Sequence, residues 1–449
     1  MEGRLVLKDC SAYCPDGSLR SGSAVTIEDG RISNVAPDEQ IPILPGDWEI
    51  ACRGRLAMPG LIDCHAHLVG GQLSPFGAEA LGQAREERSR AQHELQSRLT
   101  AVEVEALTAL AIARALRFGV TTVIEHLRCP SDVGGGLEAQ ARTAERLGVR
   151  LIASHATDSR LGARSALGQV EANAERVLAR RAHPLVRCAL GFGASSDCDD
   201  ELLVELGRLR AKLDVGVHGH VAEGEGDQAR TLEAFKQRVV SRLEAHGLLG
   251  RESVAGFASA LDRAEADWLV KKETLAALSP MRQPLHGDGG AGVELLAARN
   301  GLVALGTAGS LSLWDEVVAA WGALVEQANA ARPLDAEGIL RDLLFAAPAS
   351  LCSRIFGERF GAIEPGCPAD LAVYDLLPEA GQGPTAELVL RAARAPVAWT
   401  IVAGRVVVRE GRLLAHDYIE LDREAQRALR SIRRRAGADF ALDGPGTGR

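Results

Sequence analysis

Between Pro59 and about Gly361 one pattern recurs eight times: a short apolar run, then a helix-like stretch of roughly 10–18 residues. The runs are GLIDC, VTTVIEH, VRLIASH, VRCALG, VGVHGH, SVAGF, TLAALS and LVALG. Short runs alternating with helices mark parallel βαβ units, and eight of them predict a closed (β/α)8 TIM barrel in preference to an open sheet. On both sides of this region the pattern changes. LVLKDCSAYC, SAVTIEDGRISNVAP and DWEIACRGRLAM precede it, and alternation punctuated by Gly and Asp turns predicts an antiparallel meander. GAIEPGCPADLAVYDL and PVAWTIVAGRVVVREGRLL follow it and read as strands again. The expected fold is therefore α/β: 1–57 with 362–415 as one small composite β-sandwich, and 58–361 as the barrel inserted between them. Residues 416–449 read as an amphipathic C-terminal helix and a Gly/Pro-rich frayed tail. The 449 residues accommodate a barrel of about 250–330 residues and a small second domain.

Composition narrows the partners. A net charge of −9 argues against a nucleic-acid partner, because phosphate binding needs a basic patch. No apolar run approaches the roughly 20 residues that span a bilayer, so no membrane partner is expected. The first residues show no basic segment followed by an apolar one, which argues against secretion. Nine cysteines, an odd number without CxxC spacing, read as reduced thiols of a cytoplasmic protein.

The strongest chemical signal is the segment AMPGLIDCHAH, which ends in His65 and His67. Side chains alternate along a strand, so both imidazoles project from one face at the strand's C-terminal end. Active sites of barrels form at that end, and imidazole is a natural zinc or iron ligand. The spacing alone is weak, since a chance pair of surface or core histidines reads the same way.

The context adds to it. PGLIDCHAH resembles the first-strand signature of the amidohydrolase superfamily, and IEPGCPADLAVYDL resembles its closing signature. The likeness is co-linear from Leu5 to about Leu414. His218-Gly219-His220-Val221-Ala222-Glu223 resembles the His-x-x-Glu end of the fifth strand in the cytosine deaminase and chlorohydrolase-like branch. HVAEGEGD and RVVSRLEAHGLLG resemble an aminohydrolase group of that branch linked to purine catabolism. The resemblance implies one divalent metal, zinc or iron, held by His65, His67 and His220, with Glu223 carrying a proton to a ring nitrogen. It also implies a small-molecule substrate and a homodimer or larger homo-oligomer. Three neutral imidazoles leave such an ion positively charged, so that a water can ionise near neutral pH. His218 faces the same way as His220 and reads as a packing or supporting residue.

Three departures from the family pattern stand out. Gly256, in Ser253-Val254-Ala255-Gly256-Phe257, occupies the place of the sixth-strand histidine. Ala308, in Leu305-Gly306-Thr307-Ala308, occupies the place of the metal-binding aspartate of a Gly-Thr-Asp motif. Ser279-Pro280-Met281-Arg282-Gln283 replaces a Pro-x-Ser-Asn pattern after the seventh strand. Compensating groups are available: His126 and His155 close the second and third strands, and His286 and Asp288 follow the seventh. Glu125 or Asp288 is a candidate migrated base. For each taken singly, a solvated or supporting role is the simpler reading. Asp132 and Gly134 to Gly136 read as a flexible substrate loop or a plain turn, and nothing near Cys129 argues for a reactive thiol.

Two functions follow. The first is metal-dependent hydrolysis of a C–N bond, a deamination or ring amide or amidine cleavage, in a small nitrogen heterocycle. The alternative is a catalytically inactive paralogue that keeps the fold as a binding or scaffold protein.

Overall fold

Strands form where the apolar runs place them, in a computed structural model that describes residues 3–73, 85–282, 292–297, 299–310, 312–330, 335–378 and 385–435. At the start of the chain β1 (Leu5–Tyr13), β2 (Leu19–Glu28) and β3 (Arg31–Pro37) form the expected antiparallel meander. β4 (Trp48–Ala51) and β5 (Leu56–Pro59) depart from it, since both run parallel to β1. The run DWEIACRGRLAM breaks between them, where Arg53 and Gly54 adopt φ of 57° and 77°. A strand cannot continue through two left-handed residues.

The central runs give β6 (Leu61–Ala66), β7 (Val120–Leu127), β8 (Arg150–His155), β9 (Val186–Cys188) and β10 (Leu190–Ala194). They continue as β11 (Val217–Val221), β12 (Val254–Phe257), β13 (Leu275–Leu278) and β14 (Val303–Leu305). These nine strands make two all-parallel sheets, β6-β7-β8-β9 and β10-β11-β12-β13-β14. The single run VRCALG feeds both: its ladder breaks at Ala189, whose N–H donates to the Ala153 carbonyl. At the opposite edge, Ala308 N–H donates to His65 O at 2.8 Å, so the end of β14 touches β6. The molecule is thus a mixed α/β protein with parallel sheets. Ile62, Ile124, Ile152, Val254, Leu275 and Ala304 gather in one buried cluster beside Phe356 and Phe360.

The far end of the chain returns to strands with β15 (Leu371–Tyr374), β16 (Val397–Val402), β17 (Arg405–Arg409) and β18 (Arg412–Leu413). They share one nine-stranded sheet with the first five, in the order β18-β17-β16-β15-β5-β1-β2-β3 with β4 on β1. β5 pairs with β15, and Met58 and Pro59 still belong to that pairing. The chain then passes directly into β6 through Gly60. A Cβ there would lie 2.2 Å from Thr121 side-chain atoms, so only glycine lets β5 and β6 follow one another so closely.

Helices cover the parallel sheets. Thr100 and Glu103 make a capping box at the start of helix Ala101–Arg117. The C-terminal helix Tyr418–Arg435 buries Leu421, Ala425, Ala428, Leu429 and Ile432 and packs along it. That spacing keeps one apolar stripe inward. Asp132 is no loop residue. Its carboxylate caps helix Val133–Leu147 by accepting Gly135 N–H at 2.8 Å, which turns the glycine run into the first helical turn. The tail after residue 435 lies outside the described residues. Among the described residues no helix is long and apolar enough to cross a membrane.

The parallel region and the nine-stranded sheet are tied by a buried ion pair, Arg150 Nε to Asp370 Oδ2 at 2.6 Å, with side chains 4% and 8% exposed. Asp370 also accepts Ala403 N–H at 2.7 Å. Removing one partner strands the other charge in the interior. Arg150→Met is expected to destabilise the protein by about 3–5 kcal/mol, read from the urea midpoint, because it leaves Asp370 unpaired.

Candidate metal centre

The histidines of the first motif, His65 near the end of β6 and His67 just beyond it, are not placed by simple alternation. Asp63 faces Val123 while Ala66 faces Glu125, so β6 spends one residue more than β7 between these pairs. A bulge of this kind turns the strand locally and re-aims a side chain. His65 points inward as a result, fully buried. His67 follows at the strand's end.

Five imidazoles meet there. Ring centroids of His65 and His67 lie 4.7 Å apart, His65 and His220 5.2 Å, and His67 and His220 5.1 Å. One nitrogen from each of these three falls within 4.8 Å of the other two. His126 joins them, 4.8 Å from both His218 and His220. His218 lies beneath, 5.0 Å from His65. Phe257 packs edge-on to His65 and His220 at 5.1 and 4.9 Å.

Burial keeps the cluster neutral. It is the leading cause that pushes His65, His126 and His218 well below the usual histidine range, and it takes His67 to about 4. Each of these four rings therefore has one N–H and one lone pair at neutral pH, and the hydrogen bonds decide which nitrogen has which. His67 Nδ1 donates to the His126 carbonyl at 3.0 Å, which leaves Nε2 bare. That Nε2 lies 3.1 Å from His220 Nε2. His65 Nε2 is buried without a hydrogen-bond partner. An orphaned buried lone pair costs about 1–3 kcal/mol unless something answers it, and a cation does so. A three-imidazole set with such an orphan suits a divalent metal. Glu223 Oε2 stands 3.7 Å from His220 Nδ1.

The other expected residues divide. Glu125 points away from the cluster, accepting Leu68 N–H at 2.8 Å and the Gln140 amide at 2.9 Å, and burial raises it to about 8. It anchors the turn after β6 and is no migrated base. His155 also faces outward, accepting Cys129 N–H at 3.2 Å and meeting Thr157 Oγ1 at 3.0 Å. Cys129 is buried, and burial lifts its thiol to about 11, so it is unreactive. His286 and Asp288 lie outside the described residues.

Gly256 has its own task. It pairs with His220 in the β11–β12 ladder, and a Cβ on it would fall 2.8–3.0 Å from three ring atoms of His65. The imidazole of His65 occupies that space. Ala308 is fully buried at φ 43°, and its N–H holds the His65 carbonyl. Ala222, Phe257 and Ala258 also have positive φ, so strained backbone collects at the ends of β11, β12 and β14.

Sequence reasoning passed over several groups. Ser154 Oγ lies 3.1 Å from His218 Nδ1. Asp227, fully buried at the start of helix Glu225–Phe235, meets Ser196 Oγ at 3.3 Å, and burial with the Glu223 charge raises it to about 6. Arg128 pairs with Asp158, and Arg160 with Asp197. Strand alternation pointed to Ser154, which shares its parity with the buried Ile152; the ion pairs left no sequence signal.

Fold and site together define a mixed α/β protein with neutral imidazoles clustered where parallel strands end. The Amidohydrolase family matches residues 56–407, and the chain belongs to that family, in its deaminase-like branch. The 5'-deoxyadenosine deaminase of Methanopyrus kandleri is 29% identical over 438 residues, 93% of this chain and 96% of its own. The 5-methylthioadenosine/S-adenosylhomocysteine deaminase of Nitratidesulfovibrio vulgaris is 27% identical, with 92% of each chain covered. The crystal structure of an adenosine deaminase from Xanthomonas campestris with bound zinc shares the fold, with a TM-score of 0.80 at 21% identity over 96% of this chain and 98% of that one.

Two outcomes follow. Gly256→His, which would restore the family residue, should displace His65 and reduce zinc retained after dialysis, and Gly256→Ala should cost about 1–3 kcal/mol of stability by overpacking. The second concerns His155, which burial holds at about 3. Its proton affinity is lower folded than unfolded, so the unfolded chain takes up the proton first. The associated stability is present above about pH 6.5 and is lost as pH falls toward 3, by about 1.4 kcal/mol per unit. Urea midpoints of His155→Gln should fall less steeply over that window than those of the parent.

Proposed function

We propose that this chain is a metal-dependent aminohydrolase that removes an amino group from a small nitrogen heterocycle, with an aminopurine nucleoside as the first candidate. The observation that carries the reading is the convergence of His65, His67 and His220 on one point, with Glu223 beside His220. Relatives that share nearly the whole length are deaminases of adenosine derivatives, which supports the substrate class. The nine strands of the two parallel sheets fit a closed eight-stranded barrel spanning 58–361, with β9 and β10 as halves of the fourth strand. The sheet built from 1–57 and 362–415 fits the small sandwich beside it. Nine buried, unpaired cysteines suit a reducing cytoplasm, and the family resemblance suggests a homo-oligomer.

His65, His67 and His220 would hold one zinc or iron ion through their Nε2 atoms. A divalent cation there supplies the positive charge that makes water a nucleophile near neutral pH. Glu223 takes a proton from the attacking water and delivers it to the ring nitrogen next to the reacting carbon. The overall change exchanges an amino group and water for a carbonyl and ammonia. The family's strand-eight aspartate would ordinarily share this proton traffic. Ala308 offers a methyl group instead, which leaves Glu223 as the carboxylate of the family pattern that remains.

A second reading, a chain that binds its ligand without turnover, has Ala308 in its favour. Ammonia release decides between them, measured on a panel of 5'-deoxyadenosine, S-adenosylhomocysteine, free aminopurines and cyclic amidines with added zinc, iron or manganese. The expected result is turnover in the parent and a loss of about 10²–10⁴-fold in Glu223→Gln, the usual worth of a positioned acid–base group. Flat baselines in both proteins would sink the enzyme reading for these substrates.

A further inference from the structure

We propose that Ser154 and His218 are positioning residues that lock the proton of His65 on Nδ1 and so keep its Nε2 as an open lone pair for the metal. This rests on the reading of His65 as a ligand.

The assignment follows from counting protons along one hydrogen-bonded line. Ser154 Oγ lies 2.9 Å from the Glu125 carbonyl, which can only accept, so the single hydroxyl proton is spent there. Toward His218 Nδ1, 3.1 Å away, Ser154 Oγ must then accept, and His218 carries its proton on Nδ1. With that proton on Nδ1, the His218 ring offers the lone pair of Nε2. His65 Nδ1 lies 2.8 Å from that Nε2 and must be the donor. The one nitrogen left is His65 Nε2, buried and without a partner. The direction of the whole line is set by a backbone carbonyl, which cannot reverse its role.

The opposite tautomer of His65 would need His218 to turn its proton around as well. Ser154 would then have to withdraw its hydroxyl proton from Glu125 O to supply His218 Nδ1. No exposed group takes part, since Ser154, His218 and His65 are all buried to 1% exposure or less. Gly256 completes the device by leaving room for the His65 ring to reach His218. His67 has a simpler version, with Nδ1 tied straight to the His126 carbonyl. Both rings thus present Nε2.

The experiment uses full-length protein with histidines labelled with nitrogen-15, freed of metal by chelator. Long-range proton–nitrogen correlation at pH 8 reads which ring nitrogen carries the proton. In the parent, His65 and His218 are both expected as Nδ1–H tautomers. Ser154→Ala removes the acceptor, and both residues should show mixed tautomers. Zinc affinity from chelator competition should then fall about 10–100-fold, the usual effect of losing a ligand's supporting hydrogen bond. Ser154→Thr keeps the hydroxyl and should restore both readouts. His218→Gln tests the middle member and should weaken zinc binding in the same way. An Nε2–H tautomer of His65 in the parent, or unchanged tautomers and affinity in Ser154→Ala, would overturn the proposal. If the tautomers behave as stated but the parent binds no zinc, the relay stands and the ligand reading of His65 falls.

Discussion

His65 is held from four directions through its backbone and its ring, and the arrangement of the strand ends depends on that grip. Its carbonyl takes the Ala308 N–H, its Nδ1 meets His218, its ring lies against Gly256, and Phe257 closes on its edge. These contacts come from β11, β12 and the end of β14, so one residue of β6 joins four strands of two sheets. Gly256 cannot gain a side chain without moving that ring. What looks from the sequence like a missing catalytic histidine is, in the folded chain, space already filled by another histidine.

Electrostatics at the site follow from burial. Carboxyls that might have offset a cation are held toward their neutral forms, with burial raising Asp63 to about 6 and Glu316 to about 8. Asp63 is also committed to Thr307, accepting its N–H at 2.9 Å and its hydroxyl at 2.7 Å. Burial likewise lowers His65, His67, His126 and His218. A divalent ion held by His65, His67 and His220 would gain no charge neutralisation from Ala308, whose side chain is a methyl group. Such an ion would be a stronger electrophile but would be held less tightly than one with an anionic ligand.

Legibility varied with the kind of constraint. The parallel strands were readable because each run had to be apolar on both faces, and His65, His67, His220 and Glu223 stood out because their motifs lie within single strands and turns. Alternation also contained more than was drawn from it. Ile124 and His126 face inward and Glu125 outward, while Ser154 faces inward and His155 outward, so the last residue of a run was the wrong one to choose on β8. Asp132 was readable as a cap, given the helix that follows three glycines. The ion pairs Arg128–Asp158 and Arg160–Asp197 join residues 30 and 37 apart in sequence, and no local pattern marks them.

The sequence by itself determined the class of fold, the parallel runs, the family and the strand ends where chemistry would sit, because each of these depends on local periodicity or on contiguous motifs. Tertiary structure alone decided that His65 and His67 take part in hydrogen bonds through Nδ1, why Gly256 must stay small, and which partners hold Glu125 and His155. The physical reason is that a proton's position on a ring is set by partners from other strands. A cavity the size of one imidazole, likewise, exists only after four strand ends have met.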